Sequence, residues 1–152
     1  MFIFSILLFR NVRHDEIIFP QEKIEYKIAN KHLLEPILIA SLISGLDYHL
    51  IDAVISVESE GDSLAQSPTK VRGPMQVTKK TATIYGLSPY NTYENILAGS
   101  LYLRDMISEF RDTSLALAAY NKGPTYVKNN IELITFSYSK KVNKFYEANK
   151  AI

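Results

Sequence analysis

The segment that decides the fold runs from Asp47 to Gly61 and reads DYHLIDAVISVESEG. Its aliphatic residues recur at the three- and four-residue spacing of an α-helix, which would turn one apolar stripe toward a core. Asp47 is a favourable N-cap for this helix and Gly61 a favourable stop. The pattern therefore predicts a core helix between these two residues.

Glu58 lies on the apolar stripe of this predicted helix. It follows Val54 by four residues and Ile55 by three, whereas Glu60 points away from that face. An ionised carboxylate is costly to bury without a partner, and burial raises its pKa toward the range that suits a general acid. A structural glutamate, satisfied by backbone amides or by a Lys or Arg, fits the same spacing. The spacing alone leaves both interpretations open.

The rest of the chain predicts a mainly helical fold around one irregular segment. Helical spacing and stop residues indicate further helices at residues 36–44, 79–85, 93–110 and 115–119, and one or two polar helices after Pro124. Gly and Pro residues mark residues 61–78 as a long loop or a short irregular hairpin. Gly99, inside the longest helix, indicates a close contact there.

Composition narrows the class of protein. A length of 152 residues suits one domain, and the hydrophobic share of 47% is enough to build its core. The net charge of +1 gives no strong field toward nucleic acid, so nucleic-acid binding is not predicted. The sequence has no cysteine, which excludes disulfides, thiolate metal sites and cysteine nucleophiles.

The N-terminal region is predicted to be a lead-in of residues 1–30, followed by the organised domain at residues 31–152. The apolar run from Phe2 to Phe9 is shorter than the roughly 20 residues that a membrane-spanning helix needs. It also lacks a preceding basic stretch and a small-residue cleavage site. A truncated export signal, an anchor and an amphiphilic segment that packs all remain open interpretations.

Four blocks of sequence, in order, resemble the signatures of lytic transglycosylases of the soluble (SLT) type. They are residues 50–59, which end in Glu58-Ser59; Ser67-Pro68 with residues 73–77; residues 95–103; and residues 116–124, which contain Tyr120-Asn121. Tyr138, followed by Val142, is similar to the Tyr-Val-x-x-Val pattern of the family. The chain departs from the family pattern at Lys70-Val71 and at Pro74, where Gly-Ala and Leu are usual.

This resemblance implies a lysozyme-like (goose-type) helical domain with a glycan-binding cleft. Glu58 would protonate the oxygen between N-acetylmuramic acid and N-acetylglucosamine, and then, ionised, take a proton from the C6 hydroxyl to give a 1,6-anhydro product. Such a route needs one carboxylate. From sequence alone, a distant acid such as Glu94, Asp105 or Glu109 could still approach Glu58.

The resemblance also implies a set of substrate-binding residues, which are Ser59, Ser67, Met75, Gln76, Tyr120, Asn121 and Tyr138. Gln76 can bond an N-acetyl group or a sugar hydroxyl, and Met75 can offer an apolar wall to a sugar ring. Structural roles compete with these assignments. Met75 and Tyr120 could be core residues, Asn121 a helix-end residue, and Ser67 a turn residue.

The remaining expectations concern metals, partners and location. His14, His32 and His49 are too scattered to suggest a metal site, and no cofactor is implied. The expected partner is the glycan strand of peptidoglycan, with a larger envelope secretion or assembly machine as a further one, and the protein is expected to be an exported monomer of the periplasm or cell envelope. Two alternatives stay open: a lysozyme-type hydrolase on the same fold, and a glycan-binding scaffold that cuts nothing.

Overall fold

The computed structural model describes residues 25–151, and within them the fold is mainly helical, as predicted. The helices are α1 (Leu34–Ser44), α2 (Tyr48–Ser59), α3 (Lys79–Ile84), α4 (Thr92–Phe110), α5 (Thr113–Lys122), α6 (Pro124–Asn129) and α7 (Ser137–Lys150). Two short 3-10 turns, Lys31–Leu33 and Ile131–Leu133, precede α1 and follow α6.

Helix α2 is the central element and begins as the sequence predicts. The Asp47 side chain caps it by accepting from the backbone N–H of His49 at 2.9 Å. Ile51, Val54 and Ile55 are fully buried, because α7 packs on one side of α2 and α1 on another. The helix ends at Ser59, and its C-cap residue Glu60, one residue before Gly61, has a left-handed backbone. Glu58 therefore sits in the last turn of a helix that is fixed along most of its length.

A buried polar cluster fastens both ends of the described chain to α2. The fully buried carboxylate of Asp52 accepts from the backbone N–H groups of Ala29 and Asn30 at 2.7 and 3.1 Å. It also accepts from the side-chain amides of Asn30 and of Asn149, on α7, both at 2.7 Å. Asn30, which the sequence assigns to the lead-in, is therefore part of the packed interior. The same cluster holds α7 against α2.

The segment between α2 and α3 is irregular, with the isolated antiparallel bridges Gln66 to Arg72 and Arg72 to Val77. The fully buried side chain of Asn95, on α4, holds this loop. Its Oδ1 accepts from the N–H of Met75 at 3.0 Å, and its Nδ2 donates to the carbonyl oxygens of Arg72 and Pro89 at 2.7 and 3.0 Å. One amide side chain thus anchors the loop at two points.

Gly99 explains how the loop reaches α4. A Cβ at this position would lie 2.7 Å from both Cβ and Sδ of Met75 and 2.9 Å from the hydroxyl oxygen of Tyr120. These distances are below van der Waals contact, so only glycine fits without a shift of its neighbours. The close contact predicted at Gly99 is present, and it is made with the loop and with α5.

The N-terminal apolar run from Phe2 to Phe9 lies outside the described residues. Between residues 25 and 151, none of the helices combines the length and apolar character needed to cross a bilayer.

Candidate active site

Glu58 lies in the last turn of α2 with its carboxyl group partly buried. Burial raises the pKa of this carboxyl, and a hydrogen bond from Tyr138 acts in the opposite direction. The net shift is upward, which favours the protonated acid at a higher pH than for an exposed glutamate. The structure therefore gives Glu58 the environment that a general acid requires.

Tyr138 is the residue that orients Glu58. Its hydroxyl donates to Glu58 Oε1 at 2.5 Å, from the first turn of α7. Burial and the neighbouring Glu58 charge raise the Tyr138 pKa far above its ordinary value, so the phenol stays protonated and remains a donor. Among the described residues, none donates to Oε2, which leaves that oxygen free to exchange a proton with a ligand.

Tyr120, in the last turns of α5, joins the cleft to the core. Its hydroxyl donates to the carbonyl oxygen of Met75 at 2.8 Å, and its ring lies 5.5 Å from that of Tyr102 between centroids. Burial, with the nearby Glu58 charge as a smaller cause, raises the pKa of Tyr120 well above the usual value. The Tyr120 hydroxyl thus donates its proton to the loop backbone, and the residue also lines the cleft beside Glu58.

Ser59 and Gln76 both bond the backbone of the loop. The Ser59 hydroxyl donates to the carbonyl oxygen of Pro74 at 2.8 Å and so ties the loop to the helix that carries Glu58. Gln76 has a left-handed backbone, with φ of 47°, and its Nε2 donates to the carbonyl oxygen of Gly73 at 2.9 Å. Gln76 lines the cleft, and its Oε1 has no bond within residues 25–151. Of the two, Gln76 is the one placed to meet a ligand.

Met75 and Ser67 are not among the residues that line the cleft, and the substrate contacts expected of them stay predictions. The Met75 side chain is fully buried, because it packs into the space beside Gly99. In this arrangement Met75 fills the space beside Gly99 and supports the loop from the inside. The Ser67 hydroxyl bonds Thr69 within a turn, at 2.5 Å to its side-chain oxygen and 3.1 Å to its N–H. Both residues have the structural roles that competed with the binding roles in the sequence.

Glu58 opens into a cleft of about 390 Å³. The cleft is bounded by the loop, by the start of α3, by the middle of α4 and by the end of α5. Its lining consists of Glu58, Thr69, Val71, Gln76, Val77, Thr78, Thr81, Tyr102, Tyr120, Asn121, Lys122 and Gly123. Asn121 is exposed on its wall, as the binding role requires. The structure thus brings Gln76, Tyr120 and Asn121 together around Glu58, with Tyr138 behind it.

No second carboxylate lines this cleft in the described part of the chain. Glu94 accepts from the N–H of Ser88, Asp105 bonds Tyr85 and Arg104, and Glu109 pairs with Lys128. The three acids that the sequence left as candidates are therefore engaged elsewhere. Across residues 25–151, no group of His, Asp and Glu is arranged to hold a metal ion.

The sequence reasoning did not single out Asn95 and Lys122. Asn95 belongs to the third motif block, and its signal is a polar residue directly before the apolar pair Ile96-Leu97 at the start of a core helix. Lys122 belongs to the fourth block, immediately after Tyr120-Asn121, where the pattern indicates only the end of a helix. Its position on the cleft wall depends on where α5 ends.

Comparison with known proteins gives several independent similarities. A membrane-bound lytic murein transglycosylase F of Thiobacillus denitrificans is 41% identical over 98 residues, which are 59% of this chain and 21% of that protein. The protein of the same name from Salmonella typhi is also 41% identical over 98 residues, 59% of this chain and 20% of its own length. The chain thus spans about a fifth of the length of the curated relatives it matches.

A solved structure supports the same relationship. It is the X-ray structure of an inactive mutant of the lytic transglycosylase Slt from Pseudomonas aeruginosa, with a TM-score of 0.57 and 26% sequence identity. The similarity covers 77% of this chain and 21% of that one. The Transglycosylase SLT domain family matches residues 35–143, which include α2, the loop, α4, α5 and Tyr138. The chain therefore belongs to the transglycosylase SLT domain family.

Proposed function

We propose that this protein is a peptidoglycan lytic transglycosylase that cleaves the β-1,4 bond between N-acetylmuramic acid and N-acetylglucosamine, with Glu58 as its acid and base. The names of the relatives support the activity, since they are lytic murein transglycosylases. The solved neighbour, inactive with a glutamate replaced by glutamine, supports a requirement for a glutamate. The observation that carries the proposal is the partly buried Glu58, the lone carboxylate among the residues that line its cleft.

In the first step, Glu58 acts as a general acid. Its raised pKa favours the protonated carboxyl, and Tyr138 holds Oε1, so the proton is delivered from Oε2 to the glycosidic oxygen. The bond between C1 of the muramic acid and that oxygen breaks, and the leaving sugar departs with the proton. Positive charge develops at C1, close to the newly formed Glu58 carboxylate.

In the second step, the same carboxylate acts as a base. It takes the proton of the C6 hydroxyl of the muramic acid, and O6 forms the bond to C1 that gives the 1,6-anhydro product. The acid is regenerated, so protons and bonds balance without water as a reactant. Hydrolysis by paired carboxylates requires a second acid to activate water or attack C1, and the lining residues supply none.

Tyr138 has the same role in both steps, which is to orient the carboxyl without exchanging its own proton. Gln76 and Asn121 are the proposed substrate contacts, because their amide groups line the cleft and can bond N-acetyl or hydroxyl groups. Tyr120 lines the cleft beside Glu58. Ser59 and Tyr138 act through the loop and through Glu58, so they are positioning residues.

Digestion of purified sacculi tests the proposal, with muropeptides analysed by mass spectrometry. The wild type should release 1,6-anhydro ends, and Glu58→Gln should release none. Glu60→Gln is the matched control, because Glu60 is exposed, two residues away and outside the cleft lining. Hydrated reducing ends would indicate the hydrolase alternative. Binding to sacculi without products would indicate the scaffold alternative, and an active Glu58→Gln variant would refute the role of Glu58.

We further propose that the protein acts in the cell envelope, outside the cytoplasmic membrane. Two considerations support this location: peptidoglycan lies there, and the relatives are named membrane-bound. Four further points remain predictions. They are export through the N-terminal segment, a division of the chain into a lead-in of residues 1–30 and a catalytic domain of residues 31–152, a monomeric state, and a partnership with a larger envelope machine. Fractionation of cells with and without residues 1–30 would test the export role.

A further inference from the structure

A second depression of about 240 Å³ adjoins the Glu58 cleft. It lies between the end of α5 and the chain that leads into α7, and it is lined by Ala118, Asn121, Lys122, Tyr126, Leu133, Ile134, Thr135, Phe136, Ser137 and Tyr138. Asn121 and Lys122 line both spaces, so the two depressions meet at these residues. A group attached to a sugar at Glu58 could therefore extend directly into the second depression.

The lining of the second depression is apolar with one cation. Leu133, Ile134 and Phe136 supply an apolar wall, and Lys122 is its sole charged lining residue in the described chain. Lys122 is exposed and makes no ion pair within residues 25–151. By contrast, Lys128, on the neighbouring helix, is neutralised by Glu109. The depression therefore favours a ligand that has both an apolar part and a carboxylate.

The backbone at this depression is strained. Phe136, which precedes α7, has φ of 52°, in the left-handed region that bulky residues rarely adopt. Its carbonyl oxygen accepts from the Ser139 hydroxyl at 3.0 Å and from the N–H of Lys140 at 3.0 Å. Such strain persists where surrounding contacts fix it, and it is concentrated at ligand sites. Here it keeps an aromatic ring on the wall of the depression.

We propose that the second depression binds the peptide stem of peptidoglycan and that Lys122 pairs with a free carboxylate of that stem. This inference rests on the proposed function, because it takes the substrate from there. The stem is attached to the lactyl group of the muramic acid, the sugar that Glu58 acts on, and it combines apolar side chains with free carboxylates. Its chemistry matches the apolar wall and the lone cation, and the contiguity of the two depressions matches its attachment point.

Binding, measured without cleavage, tests the proposal directly. All proteins would have the Glu58→Gln change, and the ligands would be short, uncrosslinked glycan strands in three forms. The first has stems with free carboxylates, the second has the same stems with those carboxylates converted to amides, and the third has been stripped of stems by an amidase. The third form matters because it exposes a carboxylate on the lactyl group itself.

We expect the Glu58→Gln protein to bind the first form about three- to tenfold more tightly than the amidated form, as an exposed, charge-assisted contact allows. Adding Lys122→Met should remove that difference, and adding Lys122→Arg should keep most of it. Lys144→Met is the matched control, since Lys144 is an exposed lysine that lines neither depression, and it should retain the full difference. Thermal unfolding of each variant would show that it is folded.

Three results would overturn the proposal. The first is equal binding of the carboxylate and amidated forms by the Glu58→Gln protein. The second is that adding Lys122→Met lowers the affinity for both forms equally. The third is that Lys122→Met also weakens binding of the stripped strands, which would assign the lysine to the lactyl carboxylate. Failure here is distinguishable from failure of the proposed function. If the Glu58→Gln protein prefers stems with free carboxylates but the wild type releases no anhydro products, only the proposed activity is rejected. If the wild type releases anhydro products but the Glu58→Gln protein shows no such preference, only the stem site is rejected.

Discussion

The hydroxyl of Tyr138 donates to Oε1 of Glu58 at 2.5 Å, across 80 residues of sequence. This contact joins the first turn of α7 to the last turn of α2 at the place where the cleft opens. Asn149, near the end of α7, donates to Asp52, in the second turn of α2, at 2.7 Å and joins the same two helices again. The position of the Glu58 carboxyl is therefore set by the packing of two helices that are joined at two separate points.

Tyr138→Phe should lower kcat and shift the pH profile. The hydroxyl stabilises the ionised form of Glu58, so its loss should raise the Glu58 pKa further above the ordinary value. Because the first step needs the protonated acid, activity falls as pH rises through this pKa, and the basic limb should move to higher pH. Loss of orientation should reduce kcat by about ten- to a hundredfold. Rates of anhydro-product release between pH 4 and 9 measure both effects, and an unmoved basic limb would contradict the assignment.

Glu58→Gln should stabilise the protein at neutral pH more than at acidic pH. Since burial raises the folded-state pKa of Glu58 above its unfolded value, the folded state binds more protons between the two. Stability from this group is thus fully present below the unfolded pKa and lost as pH rises through the folded pKa. A neutral glutamine avoids that loss, so the Tm of Glu58→Gln should exceed that of the wild type at neutral pH and approach it at acidic pH.

Thermal unfolding of the wild type, Glu58→Gln and Glu60→Gln at pH 4 and pH 7.5 checks this prediction. Glu60 is exposed, so its variant should follow the wild type at both pH values. A Glu58→Gln advantage that is equal at the two pH values would show that the gain comes from packing and not from the buried charge.

The sequence predicted the parts of the site that depend on local pattern. Helical phase placed Glu58 on the buried stripe of α2, and Asp47 marked the start of that helix, because both depend on neighbours three or four residues away. The motif blocks added Gln76, Tyr120 and Asn121, which line the cleft.

Relations across the fold were not predictable in the same way. Met75 is buried because Gly99, on another helix, leaves room for it, and no local pattern reports that fit. The role of Asp52 depends on donors from Asn30 and Asn149, at the two ends of the described chain. Local spacing identifies a residue as polar or apolar, whereas its partners are decided only when the helices pack.

Gly99→Ala should destabilise the protein by about 1–3 kcal/mol, the usual cost of overpacking a core. The added methyl would meet Met75 Cβ and Sδ at 2.7 Å and the Tyr120 hydroxyl oxygen at 2.9 Å. A double-mutant cycle with Tyr120→Phe separates the two contacts, because removing the hydroxyl relieves one of them. Urea unfolding should show a smaller cost for Gly99→Ala in the Tyr120→Phe background, and strictly additive costs would show that Met75 alone resists the methyl group.

Asp52→Ala should destabilise the fold by about 3–5 kcal/mol, because several buried donors would lose their hydrogen-bond acceptor at once. The backbone N–H groups of Ala29 and Asn30 and the side-chain amides of Asn30 and Asn149 would lose their acceptor. Asp62→Ala is the matched control, since Asp62 is an exposed aspartate whose carboxylate accepts from the N–H of Leu64, and it should cost less than about 1 kcal/mol. Hydrogen exchange should show faster opening of residues 29–30 and of the end of α7 in Asp52→Ala. If the two variants unfolded at the same urea concentration, the buried cluster would not be what fastens α7 to α2.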